Sequence, residues 1–324
     1  MSGGHPTIPS PLPEEISALR ERLGPRLHAK RLQRQADKLA RLIHQGEGIF
    51  KLEKIFPFDP FLAALLRLLG LREKWRAAFL DVRVVERQWK FPNLPPFFDG
   101  FRLLQLSDLH ADLDPALTPV VAELVSRTPH DAAVVTGDYR DGIEGDFAAS
   151  MEEVAKICAP LAKTRYGILG NHDFLEMVPP LERAGLPILL NEAAEITRGS
   201  ESIWISGIDD PHFYKTDNIP AARRGIPGRA FSILLSHSPE NHREAAVHGF
   251  DLMLSGHTHG GQICFPGGRH IVVPCRVPRR FVSGRWTHGA LQGYTSPGTG
   301  ACGVPARWNC PPEITLHILR RDEG

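Results

Sequence analysis

Five short polar clusters carry the chemistry that can be read in this chain. They are Asp108-Leu109-His110, Gly137-Asp138, Gly170-Asn171-His172-Asp173, Ser236-His237 and Gly256-His257-Thr258-His259. Asp108, His110, Asp138, Asn171, His237, His257 and His259 offer carboxylate oxygen, amide oxygen and imidazole nitrogen. No thiolate belongs to the pattern, which excludes an all-cysteine structural zinc site. A mixed oxygen and nitrogen set suits divalent transition metals. Seven candidate ligands exceed what one tetrahedral or octahedral ion uses, so the set points to two ions. A carboxylate can bridge two ions, and Asp138, in the middle of the set, is the candidate bridge. Two metals about 3.5–4 Å apart form a clamp for in-line attack at phosphorus.

Each cluster closes a short apolar run. Residues 101–106, 132–135, 166–169, 231–235 and 252–254 lead into the five clusters in turn. Short apolar runs bounded by Gly or Ser read as strands buried on both faces. Helical patterns at 118–125 and 151–161 separate several of them. That alternation argues an α/β architecture. Ligands of such sheets bind beyond the carboxyl ends of the strands, so clusters distant in sequence can meet on one rim. Gly137, Gly170 and Gly256, just before the ligands, allow tight turns and close backbone approach. Isolated histidines such as His5, His28, His44 and His130 read as structural or solvated. The seven named residues escape that reading jointly, because their clusters close apolar runs in the same way.

In order and completeness, these clusters resemble the motifs of the calcineurin-like metallophosphoesterases. The second runs on through Tyr139-Arg140-Asp141, and no ligand position is substituted. The resemblance spans about residue 82 to the C-terminus. It implies a four-layer sandwich of two mixed β-sheets flanked by helices, with a dinuclear site at the strand ends. Carried over, it implies that Asp108, His110, Asp138 and His259 hold one metal, and Asp138, Asn171, His237 and His257 the other. His172 matches the family's non-ligand histidine beside the substrate phosphate and is the candidate catalytic residue. Asp141 and Asp173 would orient imidazoles or backbone. The cofactors implied are two divalent ions, Mn²⁺ first, with Zn²⁺, Fe²⁺ or Mg²⁺ as alternatives. The implied reaction is cleavage of a phosphodiester or pyrophosphate bond by a metal-bridging hydroxide.

Segments Phe98-Asp99-Gly100-Phe101, Gly207-Ile208-Asp209-Asp210-Pro211 and Pro311-Pro312-Glu313-Ile314 resemble one branch of the family. That branch contains broad phosphodiesterases and a UDP-2,3-diacylglucosamine pyrophosphatase of lipid A synthesis. It implies a phosphorylated small-molecule or lipid-linked substrate. Asp210, His212, Arg223, Arg224 and His288 are candidate substrate contacts, and equally candidates for solvated surface. A phosphomonoesterase or metallonuclease on the same core is the alternative activity. A catalytically inactive protein-binding scaffold is a further one, whose hallmark, lost ligands, is missing here.

The rest of the chain bounds these readings. The 324 residues carry 38 Lys and Arg against 37 Asp and Glu, a net charge of +1. That balance argues against a protein that coats nucleic acid. Hydrophobic residues make up 42%, enough to bury a full core and exclude wholesale disorder. No run approaches the roughly 20 apolar residues of a membrane span. The start, Met1-Ser2-Gly3-Gly4-His5-Pro6, carries no secretory pattern, so a cytoplasmic location is expected. The five cysteines form no C-x-x-C pair and read as reduced thiols, with a Cys302–Cys310 disulfide as the alternative.

The chain divides near residue 80, into an N-terminal helical extension (1–80) and a metallophosphoesterase domain (81–324). Pro13 and Glu14-Glu15 suit a helix start, and Gly24-Pro25 a break. A second helix follows, with Arg31, Arg34, Lys38 and Arg41 outside its apolar stripe. Phe61, Leu62, Leu65, Leu66, Leu68, Leu69 and Leu71 form an apolar block after it. Either this block packs on the main domain, or residues 31–71 make a peripheral contact with the inner membrane face.

Overall fold

The computed structural model describes residues 12–43, 70–142, 146–271, 273 and 275–323. Helix α1 (Pro13–Leu23) begins with Pro at its first position and ends at Gly24. Helix α2 (Pro25–Ile43) restarts at once on Pro25. Proline at the first helical turn costs no hydrogen bond, so Gly24-Pro25 bends the chain without ending the helical run. Helix α3 (Arg72–Leu80) leads into β1 (Arg83–Phe91).

The first sheet joins β1 to β2 (Arg102–Leu106), β3 (Ala132–Val135), β4 (Arg165–Gly167) and, from the far end of the chain, Glu313–Arg321. That last strand inserts between β1 and β2, parallel to β1 and antiparallel to β2. Helices α4 (Leu117–Arg127) and α5 (Ala148–Cys158) are the crossovers on either side of β3. The second sheet has six strands: β5 (Glu192–Arg198), β6 (Glu201–Gly207), β7 (Ser232–Leu235), β8 (Leu252–Ser255), β11 (Gly284–His288) and β12 (Leu291–Thr295). Strands β6, β7, β8 and β12 run parallel, with β5 and β11 antiparallel at the edges. A small hairpin, β9 (Cys264–Phe265) with β10 (Arg269–His270), stands apart, and the inserted strand Glu313–Arg321 is β13.

Strand alternation sorts the core into layers. Leu104, Leu106, Ala133 and Val135 face the helices, with Val121, Val154 and Ile157. Leu103, Ala132 and Val134 point the other way, onto Ile205, Ile233, Leu235, Leu252 and Leu254 of the second sheet. Leu234 and Met253 face outward again, among Ile219, Phe281 and Trp286. The result is helices, sheet, sheet, helices, the expected α/β sandwich of four layers.

The N-terminal helices pack on this body. Leu19 and Leu23 are buried in the helix-side core, and Leu27, Leu32 and Leu39 are half-buried against it. The basic residues named on α2 that the structure describes, Arg31, Arg34 and Lys38, meet protein. Arg31 is buried, with its guanidinium 3.2 Å from the centre of the Tyr214 ring and Nη2 donating to Asp173 O at 2.9 Å. Arg34 Nη1 donates to Phe213 O at 2.7 Å, and Lys38 Nζ donates to Asn171 O. These side chains are therefore engaged by protein. The side chain of Arg41 and residues 61–69 of the apolar block lie outside the described residues. Leu71 and Trp75 are half-buried against Val304 and Ala306. Among the described residues, no helix is long and apolar enough to cross a membrane.

A buried polar relay ties the sheets together. Trp89 Nε1 donates to His317 Nδ1 at 3.0 Å, so His317 Nε2 carries the proton and donates to Gln105 Oε1 at 2.9 Å. Gln105 Nε2 crosses to Ser255 O of the second sheet at 3.1 Å. Burial, with Arg285 and Arg87 adding repulsion, holds His317 at about 3, neutral in the folded state. The unfolded chain binds this proton first, near the ordinary pKa of about 6.5. Stability from His317 is therefore complete above pH ~6.5 and lost between there and about 3, by about 1.4 kcal/mol per unit. We expect the stability advantage of wild type over His317→Gln in urea melts to shrink steadily from pH 7 to pH 5. A constant gap would show that His317 is not held neutral.

Candidate metal centre

The five polar clusters meet on one rim. Asp108 and His110 follow β2, Asp138 follows β3, and Asn171, His172 and Asp173 come after β4. His237 follows β7, and His257 and His259 follow β8. The two sheets thus contribute four and three of the seven candidate ligands. Asp108 (φ 53°), His110 (φ 41°), Asp138 (φ 57°), His257 (φ 71°) and His259 (φ 50°) all adopt the left-handed region. Non-glycine residues avoid it, and strain of this kind concentrates at functional sites.

Two of the glycines show why the loops need them. A Cβ on Gly170 would sit 2.2 Å from Asp138 Oδ1. One on Gly256 would sit 1.8 Å from Ser107 Oγ and 2.3 Å from Asp108 Oδ2.

Asp108 is fully buried, accepting from Ser107 Oγ at 2.5 Å and from His257 N at 2.9 Å. Asp138 Oδ2 lies 3.1 Å from His237 Nε2 and 3.7 Å from His110 Nε2. Asn171 Oδ1 lies 3.0 Å from the same His237 nitrogen. His237 Nδ1 donates to Thr136 O at 2.8 Å, which aims Nε2 into the centre. His259 Nε2 is 3.5 Å from Asp108 Oδ1. His172 Nδ1 donates to Asp141 O at 2.6 Å, leaving Nε2 as its working nitrogen. Asp173 ties two loops, accepting from Asp138 N (2.8 Å), Tyr139 N (2.9 Å) and Gly170 N (2.7 Å).

Potential ligand atoms of Asp108, His110 and Asp138 lie within 4.8 Å of one another. So do those of Asp138, His237 and His257, with Asp138 common to both groups. His257 Nε2 and His110 Nε2 are buried with no hydrogen-bond partner among the described residues. Orphaned imidazole nitrogens facing carboxylates fit a cation.

Electrostatics agree with that fit. Burial pushes His110 down, but Asp141, Asp138 and Asp108 outweigh it and raise the imidazole to about 9. His237 is raised to about 10, again with burial overcome by Asp138 and Asp108. Burial and the neighbouring His237 hold His257 well below its usual range, and burial with His110 does the same to His259. Burial brings His172 down to about 4. Burial also lifts Asp108, whereas His237 and His172 outweigh it at Asp138 and pull that carboxyl well down. The buried carboxylates draw protons onto His110 and His237, so positive charge is what this part of the rim recruits.

Of the candidate substrate contacts, His212 reaches the centre, its ring 4.2 Å from that of His257. Asp210 shapes the adjoining loop, accepting from the backbone of His212, Phe213 and Tyr214. Arg223 instead donates to His248 O, and the His288 ring contacts His242. Arg224 is exposed.

Sequence reasoning missed three neighbours of the site. Cys302 Sγ lies 3.9 Å from His172 Nε2 and within 4.8 Å of ligand atoms of His110 and His259. All five cysteines are free, so the Cys302–Cys310 disulfide is not formed. Arg307, fully buried, donates to His259 O at 2.8 Å and Gly300 O at 3.0 Å. Lys38 arrives from α2, some 130 residues earlier in the chain than the loop it touches, and a lone lysine carries no motif. Burial holds its ammonium below the ordinary lysine value, against the pull of Asp138 and Asp210.

A family model described as calcineurin-like phosphoesterase matches residues 101–261, from the start of β2 through the last ligand cluster. An uncharacterized metallophosphoesterase of Bacillus subtilis (strain 168), YkuE, is 30% identical over 252 residues, covering 74% of this chain and 86% of its own. The chain belongs to the calcineurin-like phosphoesterase family. An uncharacterized metallophosphoesterase of Aquifex aeolicus (strain VF5) is also 30% identical, over 68% of this chain and 85% of its own. The phosphodiesterase YaeI of Escherichia coli (strain K12) is 28% identical, over 67% and 81%. Calcineurin-like phosphoesterases are hydrolases that use divalent metals, and the ligand groups on this rim suit that chemistry.

The glycine constraint is testable. Gly256→Ala should displace Asp108 and weaken divalent-metal affinity on the order of tenfold, while far-UV circular dichroism stays unchanged. Gly228, where an added Cβ would meet nothing within 4 Å, is the control: Gly228→Ala should bind metal as wild type does. Equal affinities for the two variants would refute the close-approach account.

Proposed function

We propose that this phosphoesterase holds two divalent cations and hydrolyses a phosphodiester or pyrophosphate bond. The observation that carries this reading is the sharing of Asp138 between two ligand groups. On this reading Asp108, His110 and Asp138, joined by His259, hold one ion, and Asp138, His237 and His257, joined by Asn171, hold the other. His237 supports it further. With Nδ1 donating to Thr136 O, its Nε2 approaches both Asp138 Oδ2 and Asn171 Oδ1. Only a proton or a metal ion makes that convergence favourable. The oxygen and imidazole donors suit Mn²⁺ first, and Zn²⁺, Fe²⁺ or Mg²⁺ next.

When bound, such a pair of cations supplies an activated water and neutralises charge at phosphorus. The chain does the rest. Asp173 and the glycine-bounded loops hold the ligands in place. Asp141 O fixes the His172 tautomer, so Nε2 faces the substrate. Negative charge on the phosphoryl group favours the imidazolium, which can then protonate the leaving oxygen. A diester is placed ahead of a monoester because the E. coli relative is named a phosphodiesterase. A nucleotide-sugar pyrophosphate such as UDP-2,3-diacylglucosamine is the lipid-linked form of the same proposal.

Asp138→Asn should lose more metal and more kcat than His259→Ala, because only Asp138 serves both ions. Elemental analysis and turnover of a diester, a monoester and the nucleotide-sugar pyrophosphate test this together. An Asp138→Asn protein that keeps two ions and near-normal kcat overturns the dinuclear assignment. His172→Ala should retain metal and lose about 10²–10³-fold in kcat. Metal lost along with activity would make His172 structural instead.

A further inference from the structure

The basic face of α2 lies over the rim. Arg31 reaches Asp173 O, Arg34 reaches Phe213 O, and Gln35 bonds both Glu176 Oε2 and Leu175 N. One turn further on, Lys38 Nζ donates to Asn171 O, the carbonyl of a candidate metal ligand next to His172. The Phe213 ring lies 4.7 Å from the ammonium and the Tyr214 ring 5.6 Å.

The charges around this lysine do not close. Lys38 makes no ion pair and no second hydrogen bond among the described residues. The carboxylates that pull on it are engaged elsewhere, Asp138 by His172 N and by the facing nitrogens of His110 and His237. Asp173 accepts three backbone N–H groups, and so does Asp210. An ammonium has three donors, and one is used here. A half-buried cation without a counter-ion is costly unless an anion arrives to pair with it. The anion that chemistry brings to this rim is a phosphoryl group.

We propose that Lys38 is an anion-binding residue of the active site, delivered by α2 to take a phosphoryl oxygen beside Asn171 and His172. This rests on the phosphoesterase reading of the rim. The helix is then a wall of the substrate site, and its partner is the phosphate of the substrate. A lysine suits the task as a mobile point charge, able to stay on Asn171 O with one donor and turn the other two to the ligand.

The test uses metal-loaded, full-length protein and orthophosphate as the probe. Isothermal titration gives the phosphate affinity, and elemental analysis gives the metal content, for wild type, Lys38→Met and Lys38→Arg. Lys38→Met should keep its metal and bind phosphate on the order of tenfold more weakly. Lys38→Arg should recover most of the affinity, since charge is what matters. The KM for a diester should rise in Lys38→Met in parallel. Unchanged phosphate affinity in Lys38→Met overturns the proposal. So does a loss of metal in step with phosphate in both variants, because Lys38 would then only brace the Asn171 loop. Failure of the underlying phosphoesterase reading shows itself separately, as wild-type protein that neither retains metal nor binds phosphate.

Discussion

Three carboxylates, Asp108, Asp138 and Asp173, are taken out of water within one small volume of the rim. Burying an ionised carboxylate is costly unless donors or cations replace its water. Asp173 is answered by the backbone, which ties three N–H groups to it. Asp108 is answered in part by Ser107 and His257 N. Asp138 receives a single backbone donor, from His172 N at 2.8 Å, and otherwise faces histidine nitrogens. The order of neutralisation thus separates the structural carboxylate from those left to draw cations.

The backbone geometry follows from the same demand. To bring two aspartates and several imidazoles together, the loops after β2, β3 and β8 must turn back sharply. The left-handed residues do this, at a cost of order 1–3 kcal/mol each. Glycine stands where side-chain atoms would otherwise collide with Asp108 and Asp138. Such strain persists only because the flanking strands, buried on both faces, leave the loops no room to relax.

What could be read ahead follows from these constraints. The strands that end in ligands are short apolar runs with a polar stop, and β2, β3, β4, β7 and β8 were legible for that reason. Strand β13 was not, although it is the second strand of the first sheet. Ile314, Leu316 and Ile318 alternate with Thr315 and His317, no polar cluster closes the run, and both faces are buried, His317 being made tolerable by Trp89 and Gln105. Asp108, His110, Asp138, Asn171, His237, His257 and His259 were legible as candidates because each stands in a motif. Cys302 and Lys38 stand in none. They reach the site through tertiary packing, so no local pattern announces them. The basic residues of α2 were legible as an amphipathic face but not as to what covers it. Arginine and lysine in a helix read the same whether they meet lipid phosphate, backbone carbonyls or aromatic rings.

What α2 covers also bears on how the rim keeps its shape. The candidate ligands come from both sheets, so their separation depends on how firmly the sheets are registered. Below the rim, Gln105 of the first sheet bonds Ser255 O of the second. Above it, Arg31 reaches Asp173 O in the loop after β4 and lies 3.7 Å from Asp209 in the loop after β6. Arg34 adds Phe213 O, on the second-sheet side, while Gln35 takes Leu175 N and Glu176 on the first. One helix therefore straps the two loop sets together across the seam. A buried guanidinium suits this, because it donates to Asp173 O on one side, faces the Asp209 carboxylate on the other and lies over the Tyr214 ring. The strap works on the loops that carry Asn171 and Asp173, so the helix that closes the rim also bears on ligand geometry. A bilayer-facing helix would leave that seam to the sheets alone.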